Sequence, residues 1–146
     1  MSDRRRFHLA FPVDDLEKAK RFYGELLGCP TGRQSGRWID FDFFGNQITA
    51  HLAPMREEPP VNPVDGDKVP ARHFGAILEW DEWQELATRL EAAGSEFLIA
   101  PKVRFRGKPG EQGTFFMADP AGNYLEFKSF RDESMIFAEG RGHDFA

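Results

Sequence analysis

The stretch Gly122-Asn123-Tyr124-Leu125-Glu126-Phe127-Lys128 determines how the rest of the chain is interpreted. Its apolar residues alternate with polar ones, a pattern that predicts a strand with one buried face. Glu126 stands in the middle of this strand, where a carboxylate needs a compensating charge, and a metal ion is one such partner. His8 and His73 occupy matching places in two halves of the chain. A metal site is therefore the hypothesis that the sequence raises first.

Both halves predict the same order of elements, β-α-β-β-β. In the first half the pattern predicts, in order, a strand at 7–13, a helix from a capping box at Asp14 to Gly28, and strands at 38–44 and 47–53 joined by a Gly45-Asn46 turn. In the second half it predicts a strand at 72–78, a helix from Asp81 to Gly94, and strands at 96–106, 113–118 and 124–130.

The spacing of equivalent residues supports an internal duplication. His8 and His73 are 65 residues apart, and the helix-ending glycines Gly28 and Gly94 are 66 apart. The offset grows to 77 between Gly45 and Gly122, which places an insertion at about 101–112. We therefore expect one domain over 1–146, with module 1 at about 7–54, a proline-rich linker at 55–70, module 2 at about 71–131 and a tail at 132–146.

Composition excludes several classes of function. With 146 residues, 40% of them hydrophobic, the chain is long enough for a core and too apolar for disorder. A net charge of −5 argues against nucleic acid as a partner. Cys29 is the only cysteine, and neither a membrane span nor a signal-peptide pattern is found. We expect a cytoplasmic protein without a membrane partner.

The predicted fold class is α+β, with two βαβββ modules forming a curved mixed sheet, an open cup with the helices outside. Sorting the strands by parity places one set of side chains on the inner face of the cup: His8, Thr49, His51, His73, Tyr124, Glu126 and Lys128. Two histidines and one carboxylate suit Fe(II), Mn, Ni or Zn and leave coordination positions open for substrate. The alternative is that the histidines are hydrogen-bonded core residues and that Glu126 pairs with Lys128 or an arginine.

The sequence resembles the vicinal oxygen chelate superfamily, which includes glyoxalase I, bleomycin-resistance and fosfomycin-resistance proteins, and extradiol ring-cleavage dioxygenases. The similarity is carried by four segments: 7–15 (FHLAFPVDD), 19–28 (AKRFYGELLG), 73–75 (HFG) and 116–127 (FMADPAGNYLEF). It implies paired βαβββ modules, a divalent metal ion in the cup and frequently a homodimer.

The resemblance also implies the ligands. The family's histidine positions fall on His8 and His73 and its last-strand glutamate on Glu126, which is the pattern of the extradiol dioxygenases, with Fe(II) favoured. Glyoxalase I adds a fourth ligand, usually Glu, where this chain has Thr49 and, two residues on, His51. This departure argues against glyoxalase activity.

An extradiol reaction on a small aromatic diol needs an acid or base near the metal, and His51 and Tyr124 are the candidates. Arg104 and Arg106 could bind an anionic group of the substrate, and Trp38 could stack on its ring. Each has a structural alternative: a solvated strand edge for the arginines, a sheet hydrogen bond for Tyr124, and plain core filling for Trp38. A glyoxalase-type lyase or isomerase and a non-catalytic drug-binding protein are the alternative functions.

Overall fold

A computed structural model describes residues 5–54, 61–64 and 66–139. Within these residues the chain forms two compact units. Unit 1 comprises 5–54 together with Asp119–Asn123, and unit 2 comprises the remainder. None of the helices in the described ranges is long and apolar enough to cross a membrane.

Unit 1 contains a four-stranded mixed sheet. Its elements are β1 (His8–Val13), α1 (Leu16–Ala19) continued by a π-helical segment (Lys20–Leu26), β2 (Thr31–Gln34), β3 (Trp38–Phe43) and β4 (Asn46–Leu52). The strand order is β1-β4-β3-β2, with β1 parallel to β4 and the other pairs antiparallel.

Unit 2 repeats this topology. Its elements are β5 (Val61–Val64), β6 (Asp67–Pro70), β7 (Phe74–Ile77), α2 (Trp80–Ala92), β8 (Ile99–Arg104), β9 (Gln112–Ala118), β10 (Tyr124–Phe130) and a 3-10 turn (Glu133–Met135). The order β7-β10-β9-β8 matches that of unit 1, and β7 is parallel to β10. The predicted α+β class with two βαβββ modules is confirmed.

The alternation read from the sequence separates a core face from a second face in each sheet. In unit 1 the core face carries Phe41, Ile48 and Ala50, packed with Tyr23 of the π-helical segment. In unit 2 it carries Phe115, Leu125 and Phe127, which pack with Trp83 of α2. The Trp83 indole donates to the carbonyl oxygen of Phe127 at 2.9 Å, so the helix is both packed on the sheet and hydrogen-bonded to it.

The buried carboxylate of Asp119 organises the turn between β9 and β10. It accepts hydrogen bonds from the Tyr23 hydroxyl at 2.7 Å and from the backbone N–H groups of Ala121 and Asn123. The Asn123 side chain donates to the carbonyl oxygen of Pro12. Burial and the neighbouring Asp119 charge raise the pKa of Tyr23 well above its usual value, so its hydroxyl remains a donor. This network explains the polar sequence Asp119–Asn123 in an otherwise apolar region.

Both helices begin at positions other than those predicted. Asp15, not Asp14, caps α1, because its side chain accepts from the backbone N–H of Lys18 at 3.0 Å. Helix α2 begins at Trp80, before the predicted cap at Asp81. Trp80 contacts the ring of Trp83, and the Arg131 guanidinium lies 3.8 Å from its ring centroid, so tertiary packing favours the earlier start.

The β3–β4 turn lies one residue earlier than predicted. Phe43 pairs with Asn46, so the two turn residues are Phe44 and Gly45, with φ of 52° and 87°. A two-residue turn with both φ values positive suits the right-handed twist of the strands. In the second module, β8 covers 99–104, and the extra length lies in the 105–111 connection and in the 119–123 turn.

The segment predicted as a linker contains a β-hairpin in its described part. Strands β5 and β6 pair antiparallel around Gly66, which has a φ of 82°. Val69 of this hairpin packs with Ile99 and Phe116. These contacts with distant residues stabilise a hairpin that lacks a local apolar pattern, so the sequence reading missed it. Residues 55–60, 65 and 140–146 of the predicted linker and tail lie outside the described residues.

Gly75 of β7 lies opposite Glu126 of β10 in the parallel register. A Cβ atom at position 75 would overlap the carbonyl oxygen of Glu126 and lie 2.6 Å from its carbonyl carbon. In the sequence, Gly75 stands out only as part of the predicted strand at 72–78 and of the 73–75 segment that carries the family resemblance. The structure shows that the missing side chain is what allows β7 and β10 to pair.

We expect Gly75→Ala to destabilise unit 2 by about 3 kcal/mol or more, because the added Cβ would overlap backbone atoms that cannot rotate away. The midpoint of urea denaturation measures this change. Gly36→Ala is the matched control, because a Cβ atom there meets nothing within 4 Å. Equal midpoints for the two variants would contradict the close approach of the strands.

Candidate functional site

Strand β10 presents a row of half-buried side chains on the face opposite the core: Tyr124, Glu126, Lys128 and Phe130. Glu126 lies at the centre of this row with its side chain 14% exposed. One carboxylate oxygen accepts a hydrogen bond from the Thr114 hydroxyl of β9 at 2.5 Å. The other lies 3.3 Å from Nε2 of His73. Two neighbouring elements therefore fix the position of this carboxylate.

His73 is oriented by its other ring nitrogen. Nδ1 lies 2.7 Å from the carbonyl oxygen of Pro70, which can only accept, so Nδ1 carries a proton. The ring also makes an edge contact with Phe116, with centroids 5.0 Å apart. Nε2 is thereby directed at Glu126, and 27% of the His73 side chain is exposed.

The two charges shift each other's pKa values. The hydrogen bond to Glu126 raises the pKa of His73 above 6.5, against the opposing effect of burial. Burial acts to raise the pKa of Glu126, but the hydrogen bonds from His73 and Thr114 outweigh it, and the net pKa lies below 4.5. In the metal-free protein, both shifts favour an imidazolium–carboxylate ion pair between pH 4.5 and 6.5.

These residues fit a divalent ion in donor type and in orientation. An imidazole nitrogen and a carboxylate oxygen converge, and both suit first-row transition metals. The proton on Nε2 occupies the position that a cation would take. Nδ1–H donating to a backbone carbonyl is the arrangement that commonly orients metal-binding histidines. The Thr114 hydroxyl supports Glu126 in the same way.

The β5–β6 hairpin is anchored beside this site by one carboxylate. Asp67 contacts the ammonium of Lys102 at 2.8 Å and the guanidinium of Arg104 at 2.9 Å. Arg104 also donates to the carbonyl oxygen of Val64. The hairpin ends at Pro70, whose carbonyl oxygen holds His73. The hairpin therefore connects the Asp67 cluster to the orientation of the histidine.

This arrangement bears on the predicted substrate contacts. The Arg104 side chain is 2% exposed, and its guanidinium binds Asp67 and the carbonyl oxygen of Val64 in the hairpin. This burial argues against a contact between Arg104 and substrate. Arg106 is exposed in the 105–111 connection. Of the two arginines, Arg106 remains the candidate for binding an anionic group.

Comparison with known proteins identifies the family. A family model described as the glyoxalase/bleomycin resistance protein/dioxygenase superfamily matches residues 5–127. The chain belongs to this superfamily.

Solved structures agree with this membership. A glyoxalase/bleomycin resistance protein/dioxygenase from Alicyclobacillus acidocaldarius is 35% identical, with a TM-score of 0.78 over 91% of this chain and 96% of that one. The fosfomycin resistance protein FosX from Listeria monocytogenes is 17% identical, with a TM-score of 0.67 over 92% and 100%. Lactoylglutathione lyase from Agrobacterium tumefaciens is 19% identical, with a TM-score of 0.58 over 88% and 94%. The last two share the fold alone. None of the curated proteins matches the sequence.

Members of the superfamily commonly bind divalent metal ions, which agrees with the chemistry of His73 and Glu126. Within the described ranges, no group of three or more His, Cys, Asp or Glu side chains is arranged to hold a metal ion. Of the predicted ligands, His73 and Glu126 lie together in unit 2. His8 is exposed in β1 of unit 1, in register with Gln47.

The second face of the sheet in unit 1 carries two further predicted site residues, Trp38 and His51. Trp38 and His51 are register partners on β3 and β4, and the Arg33 guanidinium lies 5.6 Å from the centroid of the Trp38 ring. His51 is exposed and Trp38 half-buried. Tyr124, the other acid/base candidate, is in unit 2 on the same face of β10 as Glu126.

Asp40 was not among the site residues predicted from the sequence. Its buried carboxylate accepts from the Thr49 hydroxyl at 2.7 Å and from the Gln47 amide at 3.4 Å, and lies 3.6 Å from the Arg33 guanidinium. Asp40 alternates with apolar residues in β3 just as Glu126 does in β10, and that signal could have identified it. Thr114 and Asp67 were missed because their roles depend on contacts between distant strands.

In the metal-free protein, the contribution of the His73–Glu126 pair to folding stability should depend on pH. Because the folded pKa of His73 is raised, its contribution is complete below pH 6.5 and is lost as the pH rises through the raised value. Because the pKa of Glu126 is lowered, its contribution is complete above pH 4.5 and is lost as the pH falls through the lowered value. The stability difference between the parent and His73→Gln should therefore peak between pH 4.5 and 6.5.

Urea denaturation in the presence of a chelator, from acid to alkaline pH, measures this difference. His51→Gln is the control, since it removes an exposed histidine from β4. A difference for His73→Gln that does not vary with pH would show that the pair is not charged in the folded protein.

Asp67→Asn should loosen the β5–β6 hairpin, because it removes the charge that holds Lys102 and Arg104. Amide hydrogen exchange in β5 and β6 should become roughly fivefold faster, the factor that corresponds to about 1 kcal/mol. Exchange in β9 and β10 should change less. The control Asp81→Asn removes an exposed carboxylate from α2, and equal exchange rates in the two variants would show that Asp67 does not anchor the hairpin.

Proposed function

We propose that this protein is a divalent-metal-dependent enzyme acting on a small molecule, and within that class an extradiol-type dioxygenase that opens the ring of a small aromatic diol. The convergence of His73 Nε2 and Glu126 Oε1 at 3.3 Å, each residue held by a further hydrogen bond, is the observation that carries the proposal. A site prepared in this way places an imidazole and a carboxylate for a cation without rearrangement of the strands.

In this proposal His73 and Glu126 hold the ion, and the resemblance of the sequence adds His8 as the third ligand. Fe(II) is favoured, with Mn, Ni and Zn as alternatives. Such an ion would supply a centre that binds both vicinal oxygens of the diol and allows reaction with O₂. To bind it, His73 must release the Nε2 proton that it shares with Glu126 in the metal-free protein. The Pro70 carbonyl keeps the ring in place while this proton leaves.

The remaining residues have to move protons and position the substrate. A diol that binds through its oxygens must lose a proton, and the Tyr124 hydroxyl can exchange protons from the same face of β10, about 7 Å along the strand from Glu126. His51 is the second acid/base candidate. Trp38 is proposed to contact the ring of the substrate. Arg106, exposed in the 105–111 connection, is proposed to attract an anionic substituent towards the site. Both atoms of O₂ enter the product of ring opening, so the reaction needs no separate reductant.

Asp40 supports a second candidate, a glyoxalase-type lyase or isomerase. That chemistry uses a fourth oxygen ligand from the first module, and Thr49 cannot supply a carboxylate. The Thr49 hydroxyl, however, holds the Asp40 carboxylate at 2.7 Å. Asp40 therefore offers a carboxylate beside the position where the resemblance led us to expect one. A third candidate is a binding protein without catalysis.

Metal binding distinguishes these candidates. Protein purified without oxygen, stripped with a chelator and titrated with Fe(II), Mn(II), Ni(II) and Zn(II) should bind one ion. His73→Ala, Glu126→Gln and His8→Ala should each weaken binding by more than about 100-fold, whereas Thr114→Val, which removes a supporting hydroxyl, should weaken it roughly 10- to 100-fold. Glu85→Gln, on the exposed side of α2, is the control and should bind as the parent does.

Oxygen consumption with a panel of catechols then tests the reaction. Selective Fe(II) or Mn(II) binding with consumption of O₂ supports the dioxygenase. Selective Ni(II) or Zn(II) binding with isomerisation of a hemithioacetal favours the glyoxalase-type reaction, and Asp40→Asn should then impair it. Failure to bind any of the four ions would contradict both enzymes and leave the binding protein.

A further inference from the structure

Lys128 places a positive charge on the same face of β10 as Glu126. The two side chains alternate with buried core residues, and both are half-buried. In the register with β9, Lys128 lies opposite Thr114, the residue whose hydroxyl holds Glu126. The aliphatic part of the lysine is therefore enclosed in the sheet surface next to the proposed metal ligands, unlike a lysine on a solvated loop.

Lys128 forms no ion pair with a carboxylate in the part of the chain that the structure describes, and Glu126 interacts with its charge only at longer range. The Lys128 Nζ atom lies 5.5 Å from the centroid of the Phe130 ring. Glu126 is instead bonded to His73 and Thr114. A half-buried cation beside a single, already bonded carboxylate leaves a positive potential at this face.

Binding of a divalent ion by His73 and Glu126 would increase that potential, because the ion carries more positive charge than Glu126 can balance. A neutral ligand gains less from the Lys128 charge than an anion does. An anionic group gains a charge-assisted hydrogen bond in a partly desolvated position. The half-buried ring of Phe130 on the same face suits a ligand with an apolar part between its polar ends.

We propose that Lys128 is a specificity-determining residue that binds a carboxylate or similar anionic group of the substrate, so that the substrate is a small aromatic acid. The assignment of a diol to the other end of this molecule rests on the proposed function; the anion-binding role of Lys128 does not. The spacing agrees with such a molecule, since Glu126 and Lys128 are about 7 Å apart along the strand, comparable with the span of a substituted benzene ring.

Two matched pairs of ligands test the proposal by equilibrium binding, without oxygen, to the metal-free protein and to the Fe(II)-loaded protein. The first pair is 3,4-dihydroxybenzoate and 3,4-dihydroxybenzamide, which differ only in the anionic group. The second pair, benzoate and benzamide, lacks the diol. In each pair the parent should bind the carboxylate roughly tenfold more tightly than the amide. Lys128→Met should abolish this preference, and Lys128→Arg should retain it.

Lys18→Met, which removes an exposed lysine from α1 of unit 1, is the control and should keep the full preference. Lys128→Gln serves as a second neutral variant in case Lys128→Met lowers the stability of the sheet. A carboxylate preference that disappears in both neutral variants supports the proposal. Equal binding of acid and amide by the parent, or an unchanged preference in the neutral variants, overturns it.

The same measurements separate this proposal from the proposed function. If the diols bind no more tightly than the diol-free ligands but the preference for acids still requires Lys128, the diol assignment fails and the anion site stands. If the diols bind tightly without any effect of Lys128, the anion site fails and the diol assignment stands.

Discussion

The parallel pairing of β7 with β10 is the constraint on which the site depends. It brings the backbone of Gly75 so close to Glu126 that no side chain fits between the strands. This contact fixes where β7 begins, and therefore where His73 lies, relative to a carboxylate more than fifty positions later in the sequence. The geometry of two chemically active side chains is thus set by a residue that has no side chain.

Around this pairing, each active group is held by a second partner. The Thr114 hydroxyl fixes one oxygen of Glu126, and the Pro70 carbonyl fixes Nδ1 of His73. Pro70 belongs to a hairpin that Asp67 anchors to Lys102 and Arg104. The ion pair between His73 and Glu126 is consequently preorganised. If these residues hold a divalent ion as proposed, a proton and the ion would compete for the same nitrogen lone pair. The affinity for a metal ion should therefore decrease as the pH is lowered in the acidic range.

The sequence predicted the repeated βαβββ order because strand and helix periods are local properties of the chain. Glu126 was identifiable for the same reason, since a carboxylate in an apolar strand contradicts the local pattern. The β5–β6 hairpin, and with it the role of Arg104, could not be predicted, because Val69 and Asp67 gain their partners only from distant strands. The predicted helix starts were wrong by one or two residues. At the second helix, aromatic packing of Trp80 outweighed the capping preference of Asp81.

The position of β10 in its sheet has a consequence for synthesis of the protein. It lies between β7 and β9, so β7 has no partner strand until residues 124–130 have left the ribosome. At about 5–20 residues per second, translation of the roughly fifty intervening residues takes on the order of 2–10 s. During this interval the nascent chain exposes an unpaired strand edge, and such edges are where chaperones bind and aggregation begins. His73 therefore emerges several seconds before Glu126, and the two can meet only after β10 has been synthesised.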